Sequence, residues 1–597
     1  MADVQQKFSF ALLKRVLAYA KPHAGMFFIA AIVSIVFAFV SPVRAIITQY
    51  TLDNYIVTPN KEMLLTMTLL MAGILLFETL LQFLNEYLAG WLGQTIIRDM
   101  RTKLFNHINN LHLQYFDKTP IGTLVTRVIS DMEAISDIFS EGLLVILGDF
   151  LKLIVIITVM FYTNWKLALI SLSIFPFLMI GANMFKNGVN KSFNEVRTQI
   201  ARLNSFVQEH ITGMNVVQIF NREEEEMKKF KEINAVHRDA NIRSIWYYSI
   251  FFPFIEILAS VSIGLIVWWG GRGVFDNAFS VGQLVAFIMY INMLFRPIRM
   301  IADRFNTLQM GIVASERVFR VMDTKSPVAE KQQRTTINEQ LSTINKQQIV
   351  SGNIEFRNVW FAYNEENYVL KNISFEAKQG QTFALVGATG SGKSSIASLI
   401  NRFYEYSKGE ILIDGINIRD YELSSLRKNI GIVLQDVFLY SDSIANNISL
   451  GNPEIKREQI INAAKTVGAH EFIMRLPGNY DYNVMERGAT LSVGQRQLIS
   501  FIRAYLYNPA ILILDEATSS IDTESEILIQ RATEILMKDR TSIVIAHRLA
   551  TIQRADKIIV LDKGEIIETG THLELLAQNG QYRKLFELQF KNEEVRA

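Results

Sequence analysis

One short segment carries the residue types that hold phosphate. Residues 387–394 follow the P-loop pattern G-x-x-x-x-G-K-[ST], with an apolar strand-like run before them and a helix-like run, 394–403, after them. Glycines in such a loop let backbone N–H groups close around phosphate, and the helix N-terminus adds a favourable dipole. We expect Lys393 to reach the β- and γ-phosphates and the Ser394 hydroxyl to hold Mg²⁺. The predicted ATP-binding loop is Gly387, Ala388, Thr389, Gly390, Ser391, Gly392, Lys393, Ser394 and Ser395.

A P-loop requires an acidic partner at the end of a buried strand. The continuous apolar run 510–514 is typical of a buried parallel strand and delivers Asp515, which we expect to orient Mg²⁺. Glu516 follows directly and is placed to polarise the attacking water as general base. Sequence position alone leaves a second interpretation for Glu516, that of a surface carboxylate at a strand end.

Composition limits the class of protein. The chain has 597 residues, enough for two to four domains, and 50% of them are hydrophobic against 20% charged. The net charge of +2 gives no reason to expect a nucleic-acid partner. The absence of cysteine excludes disulfides, thiolate metal sites and cysteine nucleophiles.

Six apolar runs are long enough for membrane spans, each of which needs roughly 20 residues. The two long connections, after the second and fourth runs, are rich in Lys and Arg, whereas the alternate loops are short and poor in them. This positive-inside pattern places the long connections, the N-terminus and the C-terminal region in the cytoplasm. The long connections have few Gly or Pro and are predicted as helices that extend past the bilayer. The predicted spans are 26–47, 63–84, 143–163, 167–185, 247–269 and 281–295.

Residues 1–25 resemble a signal peptide superficially, but no convincing cleavage site follows, and further spans do. Phe10, Leu13, Leu17 and Ala20 share one helical face, which favours a short helix lying in the membrane surface over a packed soluble helix.

Composition changes sharply near residue 325, and a polar linker precedes an α/β pattern. The predicted domains are 1–25 (interfacial helix), 26–323 (transmembrane domain), 324–352 (linker), 353–590 (α/β P-loop domain) and 591–597 (tail).

Further motifs stand in a fixed order around the P-loop. They are Phe361-Ala-Tyr363, Gln435-Asp436, Leu491-Ser-Val-Gly-Gln495, Ser519-Ser-Ile-Asp522 and Ala546-His547-Arg548. With these, residues 354–588 resemble the nucleotide-binding domain of ABC transporters. Residues 1–323 resemble the membrane domain of bacterial type I (MsbA-like) ABC exporters. In that half, 115–122 with Arg127 and Asp131 resembles the first cytoplasmic loop of these exporters, and 209–223 the second, where coupling helices dock onto the nucleotide-binding domains.

The resemblance implies a role for each matching residue. Tyr363 would stack on adenine, and Gln435 would sense Mg²⁺ and the γ-phosphate. His547 would be the switch histidine near the γ-phosphate, beside Glu516 as catalytic base; a histidine satisfied at a strand end is the alternative. The metal set would be Ser394, Gln435 and Asp515. The family signature, which caps the ATP of the opposite subunit, would be Leu491, Ser492, Val493, Gly494 and Gln495, and the loop crossing the dimer interface would include Ser520 and Asp522.

The signature departs from the family's Leu-Ser-Gly-Gly-Gln because Val493 replaces its first glycine. Ser492 and Gly494 remain, so capping of phosphate is expected to persist. A heterodimer with one altered site stays open, but Lys393, Glu516 and His547 are all present, which favours a homodimer. The linker is also longer than the family leads us to expect.

Charged residues within spans are expensive and often functional. Glu78, Asp149, Lys152 and Glu256 are of this kind, and the three-residue spacing of Asp149 and Lys152 makes mutual pairing a simple alternative. Glu256, with Met289 and Met293, forms a predicted substrate cavity. Helix packing or lipid contact is the competing interpretation for these side chains.

The resemblance implies an ATPase that drives export or flipping of hydrophobic or amphipathic substrates, drugs or lipids, across the bacterial inner membrane. Its ligands would be ATP and Mg²⁺, and its partners a second half-transporter and the lipid bilayer. The alternatives are one subunit of a heterodimeric exporter and a regulatory protein with a silent ATPase. A soluble ATPase of this family is disfavoured by the six spans, and an importer by the fusion of both domains on one chain.

Overall fold

The computed structural model describes residues 10–57, 59–276, 278–325, 351–364, 367–515, 523–546 and 548–589. The chain forms two compact units. The first contains residues up to 109 and 121–324, and the second contains residues 110–120 and the chain from 325 onward. The described residues omit most of the predicted linker, the predicted tail and the first nine residues of the predicted interfacial helix.

The first unit is entirely helical over its described residues. Its apolar runs form helices because a chain in hydrocarbon must satisfy its backbone hydrogen bonds internally. Pro176 stands at the start of one helix, where its missing N–H costs nothing. The helices as far as residue 322 are α1 Phe10–Ala18, α2 Ala24–Val40, α3 Val43–Thr51, α4 Lys61–Asn109, α5 Leu113–Lys118, α6 Ile121–Val128, α7 Ser130–Asp137, α8 Leu144–Thr163, α9 Trp165–Leu172, α10 Phe175–Thr212, α11 Met214–Ile219, α12 Glu223–Phe275 and α13 Val281–Met322; α5 belongs to the second unit.

Six segments of the described chain are long and apolar enough to cross a membrane, and each contains one of the predicted spans. The helices run far beyond a bilayer, because the 53 residues of α12 extend about 80 Å against a hydrocarbon core of about 30 Å. The predicted helical extensions are therefore confirmed. The six segments are Lys21–Ile56, Lys61–Asn109, Ile121–Thr163, Trp165–Phe185, Glu223–Phe275 and Val281–Ile298.

The short helix α1 packs along the end of α13. Leu13 and Val16 are buried, whereas Phe10 is exposed. Arg15 donates to both carboxylate oxygens of Asp323 at 2.6 Å and lies 4.0 Å from the centre of the Phe319 ring. The buried face of α1 is therefore used for packing, and the position of this helix in the membrane surface stays a prediction.

The second unit contains two sheets. A four-stranded antiparallel sheet has the order β2-β1-β4-β5, and a six-stranded sheet has the order β10-β9-β3-β8-β7-β6. In the larger sheet only the β9–β10 pair is antiparallel. The strands are β1 Ile354–Ala362, β2 Tyr368–Ala377, β3 Thr382–Gly387, β4 Lys408–Ile413, β5 Ile416–Asn417, β6 Ile430–Val433, β7 Ile511–Asp515, β8 Thr541–Ile545, β9 Lys557–Asp562 and β10 Glu565–Gly570.

Two apolar cores stabilise this unit on the faces of the parallel strands. One joins the sheets to the P-loop helix, with Ile396 and Leu399 fully buried. The other joins the larger sheet to helices of the C-terminal half, with Leu498 and Ile529 buried. The helices are α14 Lys393–Ile400, α15 Leu423–Lys428, α16 Ile444–Ser449, α17 Arg457–Val467, α18 His470–Met474, α19 Val493–Tyr507, α20 Thr523–Met537, α21 Leu549–Gln553, α22 His572–Ala577 and α23 Gln581–Gln589.

Candidate ATP site

The predicted P-loop connects β3 to α14, as the motif requires. Its backbone turns through the left-handed region at Gly390, φ +82°, and at Gly392, φ +104°. A Cβ at Gly392 would lie 2.6 Å from a methyl of Leu370, so both the dihedral angle and the space demand glycine there. The loop therefore leaves its backbone close to the first turn of α14, where phosphate binds best.

Lys393 is buried at the start of α14. Its ammonium donates to the carbonyl oxygens of Gly387 at 2.7 Å and Ala388 at 3.0 Å, which holds it against the loop. Burial lowers the pKa of Lys393, and the nearby carboxylate of Asp515 acts in the opposite direction. A desolvated ammonium placed in this way is suited to stabilise phosphate charge.

The hydroxyl of Ser391 supplies the strongest test of whether this loop fits phosphate. The side chain is 3% exposed, and among the described residues its Oγ has no hydrogen-bond partner. Buried hydroxyls normally have hydrogen-bond partners, so a buried hydroxyl without one indicates a group that a bound ligand would satisfy. Ser394, one helical turn on, is exposed at the loop side of α14. The residues present therefore fit a bound polyphosphate, with Ser394 available for its metal ion.

Parallel pairing brings several predicted site residues to one edge of the larger sheet. β8 lies between β3 and β7, and β6 flanks β7. Asp515 ends β7, and Gln435 follows β6 by two residues and is exposed. Because the carboxyl ends of parallel strands share one edge, Gly387, Asp515 and Gln435 are on the same side of the sheet.

Four predicted residues lie outside the described residues. They are Glu516, Ser520, Asp522 and His547. Two of them directly follow described residues in the sequence, because Glu516 follows Asp515 and His547 follows Ala546. Their assigned roles stay predictions.

Tyr363 follows the end of β1 and connects to the P-loop helix. Its hydroxyl lies 3.0 Å from the Oγ of Ser395, and its ring meets the Tyr404 ring edge-on at 5.0 Å between centroids. Its ring also packs against Phe361. The predicted adenine-stacking residue is therefore held beside the predicted phosphate-binding loop.

The signature segment forms the N-terminus of α19. Ser492 accepts a hydrogen bond from the Gln495 N–H at 3.2 Å, and the Gln495 side chain accepts one from the Ser492 N–H at 3.0 Å. This capping box fixes the first turn. Val493 occupies the first helical position and is 42% exposed, while Leu491 and Gly494 are buried. The substitution in the signature therefore lies on the accessible end of the helix, beside Ser492.

Sequence reasoning missed Gln114 and Tyr404, which connect α5 to the nucleotide-binding half of the second unit, whereas Asp117 lies within the predicted coupling segment 115–122. The Gln114 amide donates to the Tyr363 carbonyl at 3.1 Å, and the Tyr404 hydroxyl donates to the Asp117 carboxylate. Burial and this carboxylate raise the pKa of Tyr404. The coupling segment thus touches the residue predicted to stack on adenine. No local pattern marks Tyr404, because its partner is 287 residues away.

The charged residues within the spans have specific contacts. Asp149 forms an ion pair with Arg304 of α13 at 3.4 Å, a partner other than Lys152, whose spacing had offered mutual pairing as an alternative. Lys152 lies 4.7 Å from the centre of the Phe37 ring, and Glu78 accepts a hydrogen bond from Ser41 at 3.3 Å.

The three predicted cavity residues fall into two groups. Met289 and Met293 are partly buried and pack against the core of the spans. Glu256 is exposed and lines a groove on α12. The two methionines are not among the residues that line this groove, and the predicted substrate cavity stays a prediction.

A membrane unit joined on one chain to a P-loop unit defines a membrane protein with its own nucleotide-binding domain. A family model described as "ABC transporter transmembrane region" matches residues 27–298, and one described as "ABC transporter" matches residues 370–519.

Similar proteins match the chain over nearly its whole length. The "Uncharacterized ABC transporter ATP-binding protein YknV" of Bacillus subtilis (strain 168) is 37% identical over 591 residues, which cover 98% of this chain and 96% of that protein. The "ATP-dependent lipid A-core flippase" of Syntrophus aciditrophicus (strain SB) is 36% identical, covering 98% and 95%. The "Putative multidrug export ATP-binding/permease protein YgaD" of Bacillus subtilis (strain 168) is 37% identical, covering 97% and 100%.

The chain therefore belongs to the ABC transporter family, with the exporter arrangement of fused membrane and ATP-binding domains. It is a multi-pass membrane protein and an ATPase coupled to transport.

Proposed function

We propose that this protein exports or flips hydrophobic or amphipathic substrates, drugs or lipids, across the bacterial inner membrane as a homodimer that alternates its access. Names of similar proteins include both a lipid flippase and a multidrug exporter, and these suggest the substrate range. The N-terminus and the ATP-binding domain are assigned to the cytoplasm, because the long connections on that side carry the Lys and Arg excess.

The observation that carries the proposal is a P-loop with groups arranged for phosphate, on the same chain as six candidate membrane spans. Lys393 is held against its loop by two carbonyls, and the buried hydroxyl of Ser391 has no partner among the described residues. Both groups gain their best interactions from a bound polyphosphate. Mg²⁺, held by Ser394, Asp515 and Gln435, would neutralise charge that develops on the phosphate oxygens.

The dimer is supported by an exposed apolar surface at the second cytoplasmic connection. Val216, Ile219 and Phe220, in and just after α11, are 59%, 78% and 69% exposed. Large apolar side chains clustered at the tip of a polar hairpin indicate an interaction site. Within the second unit, by contrast, α5 already has partners in Tyr363 and Tyr404. We therefore assign the tip at α11 to the nucleotide-binding domain of a second copy.

The two halves of each ATP site also require two copies in this proposal. Leu491 packs in the apolar core that includes Leu498 and Ile529, whereas α14 packs in the other core. Each ATP would lie between the P-loop of one subunit and Ser492 and Gly494 of the other. ATP then favours the closed dimer because its γ-phosphate is contacted from both sides only there.

The chain's own residues complete the cycle. Closing of the nucleotide-binding domains would pull the helical hairpins together and open the substrate cavity outward. Glu516 would polarise the attacking water, and His547 and Gln435 would contact the γ-phosphate. Hydrolysis removes the contact that favours closure, so the dimer reopens.

The second candidate is one subunit of a heterodimer, and Val493 is the observation that favours it. Its branched side chain replaces a glycine on the exposed first position of α19. The capping box that holds Ser492 is nevertheless intact. The signature's phosphate-facing groups are therefore preserved, and the homodimer is the proposal that we prefer.

The test is Mg²⁺-dependent ATP hydrolysis by the single purified chain in lipid, measured beside Glu516→Gln. We expect activity from the unmodified chain and at least about a hundredfold loss in the variant, the scale of a lost general base. Glu565→Gln, which changes an exposed carboxylate on β10, is the matched control and should retain activity. The mass of the assembly in lipid discs should correspond to two copies.

Two results would count against the proposal. Well-folded single chain without activity would favour a missing partner subunit. Activity that survives disruption of both Ser492 and Gly494 would contradict composite ATP sites.

A further inference from the structure

Gln435 lies in a loop between β6 and α16, residues 434–443, which we call the Gln435 loop. Residues 434–442 form neither helix nor strand. Gln435 is exposed, whereas Leu439 is fully buried. Backbone groups beside a buried residue need hydrogen-bond partners, and a loop without secondary structure takes many of them from side chains. The side chains that bond this loop therefore help to determine where Gln435 lies.

Asn447 is the first of these side chains. It belongs to α16 and is 1% exposed. Its Oδ1 accepts a hydrogen bond from the Tyr440 N–H at 2.8 Å, and its Nδ2 donates to the Tyr440 carbonyl at 2.9 Å. One side-chain amide thus satisfies the backbone donor and the backbone acceptor of a single residue. Asn447 thereby fixes the backbone of the Gln435 loop at Tyr440.

Arg503 of α19 is the second of these side chains. Its Nε donates to the Asn447 carbonyl, and one terminal nitrogen donates to the Asn447 Oδ1 at 3.0 Å. The other terminal nitrogen donates to the Phe438 carbonyl at 3.1 Å. Three acceptors in three directions use the planar fork of a guanidinium, which the ammonium of a lysine does not reproduce. Arg503 therefore holds both Asn447 and the Gln435 loop.

The helix that carries Arg503 is also the helix that begins at the signature. Ser492 caps α19, and Arg503 lies ten residues after Val493, or about 15 Å along the helix axis. Rigid secondary elements transmit displacements between their ends. A shift of the signature would therefore reach the Gln435 loop through Arg503.

Backbone bonds join the end of the same loop to the segment before the signature. The Ile444 N–H donates to the Tyr482 carbonyl at 3.0 Å, and the Val484 N–H donates to the Asp442 carbonyl at 3.1 Å. The hydroxyl of Thr490, which directly precedes the signature, donates to the Val484 carbonyl at 3.2 Å. The Gln435 loop and the signature are thus connected twice within the second unit, and the connection through Arg503 is the one that a substitution can remove.

We infer that Arg503 is a positioning residue, which holds the Gln435 loop on α19 so that Gln435 is presented to Mg²⁺ and the γ-phosphate. This inference rests on the proposed function, in which Gln435 contacts both. The P-loop helix α14 packs in one apolar core, whereas Ile502, the neighbour of Arg503, packs in the other. Loss of the Arg503 bonds should therefore weaken the part of ATP affinity that depends on Mg²⁺ and spare the part that the P-loop supplies.

The test compares Arg503→Lys with the unmodified full-length protein in lipid discs. Equilibrium binding of the non-hydrolysable β,γ-imido analogue of ATP is measured in Mg²⁺ and in EDTA. We expect Arg503→Lys to reduce the gain in affinity due to Mg²⁺ about threefold to tenfold, the scale of one hydrogen bond, and to leave the affinity in EDTA unchanged. In a Gln435→Ala background, Arg503→Lys should have no further effect, because both changes remove the same contact.

Arg540→Lys is the matched control. Arg540 donates to the Asn508 side chain at 2.7 Å, at the end of α19 that is remote from the signature. The same substitution there should leave both affinities unaltered. Backbone amide hydrogen exchange without nucleotide is the second measurement, and residues 436–443 should exchange faster in Arg503→Lys but not in Arg540→Lys.

Four results would overturn the inference. They are equal effects of the two Arg→Lys variants, an equal loss of affinity in Mg²⁺ and in EDTA, additive losses in the Gln435→Ala background, and unchanged exchange of residues 436–443 in Arg503→Lys. The first two would reduce Arg503 to a residue that only stabilises the fold.

Failure of the proposed function would be visible separately, because neither measurement depends on hydrolysis. A chain that shows the selective loss in Arg503→Lys but hydrolyses no ATP would contradict the proposed function alone. A chain that hydrolyses ATP but responds alike to Arg503→Lys and Arg540→Lys would contradict the role of Arg503 alone.

Discussion

Removal of the Ser391 hydroxyl should separate ATP affinity from stability. In most buried positions a Ser→Ala change removes a hydrogen bond and lowers the free energy of unfolding. At Ser391 the Oγ has no partner among the described residues, although the side chain is 3% exposed. An unsatisfied buried hydroxyl costs about 1–3 kcal/mol, so Ser391→Ala should leave stability unchanged or raise it.

The effect on ATP should have the opposite sign. A hydrogen bond to a charged phosphate oxygen contributes about 1.5–3 kcal/mol, and each 1.4 kcal/mol is about a factor of ten in affinity. Ser391→Ala should therefore weaken ATP binding about tenfold to a hundredfold. The assays are equilibrium binding of a fluorescent ATP analogue and thermal unfolding of the protein in lipid discs without nucleotide.

Ser395→Ala provides the contrast, because the same substitution is made one turn away on a hydroxyl that is paired. Its Oγ lies 3.0 Å from the Tyr363 hydroxyl. We expect this variant to lower the free energy of unfolding by about 1 kcal/mol. If Ser391→Ala lowered the melting temperature and kept wild-type affinity for ATP, the assignment of the Ser391 hydroxyl to ATP binding would be refuted.

Three further changes test the phosphate loop and the spans. In Gly387→Ala the new Cβ would lie 2.2 Å from the Leu561 carbonyl oxygen, so we expect a loss of about 3 kcal/mol in stability and no detectable ATP binding. Asp149→Asn leaves Arg304 without its carboxylate; because both side chains are about a quarter exposed, we expect a loss of about 2 kcal/mol, and Arg304→Gln in addition should restore part of the melting temperature. Burial lowers the pKa of Lys393, so kcat/KM for ATP should fall along an alkaline limb that begins below the usual lysine pKa of about 10.4, and Lys393→Arg should remove that limb.

The sequence predicted the elements that carry their own pattern. The P-loop spacing placed a strand before Gly387 and a helix at 394–403, and the structure has β3 there and α14 at Lys393–Ile400. The apolar run before Asp515 became β7, which pairs in parallel with β6 and β8 inside the larger sheet. Long stretches with few Gly or Pro between spans became the extended parts of α10 and α12. In each case neighbouring residues along the chain determine the outcome, so periodicity and motif spacing suffice.

Contacts between distant segments were not predictable in the same way. The spacing of Asp149 and Lys152 favoured a pair within one helix, but packing presents Arg304 of α13 to the carboxylate. The antiparallel strands β2 and β10 were missed because their partners, rather than their own composition, define them. The contact of Asp117 with Tyr404 joins segments 287 residues apart. Tertiary arrangement selects among partners that a linear pattern cannot rank.

That last contact connects the predicted nucleotide site to α5. Tyr404 donates to Asp117 of α5, its ring packs on Tyr363, and the Tyr363 hydroxyl meets Ser395 beside the P-loop. If Tyr363 stacks on adenine, then ATP and α5 both contact the pair of Tyr363 and Tyr404. A shift of these rings would then change the contacts of ATP and the contacts of α5. Linkage makes this reciprocal, because a change in α5 that alters the pair must alter ATP affinity by the same free energy. In the proposed dimer, ATP and α5 would be coupled if the ring positions differed between its open and closed states.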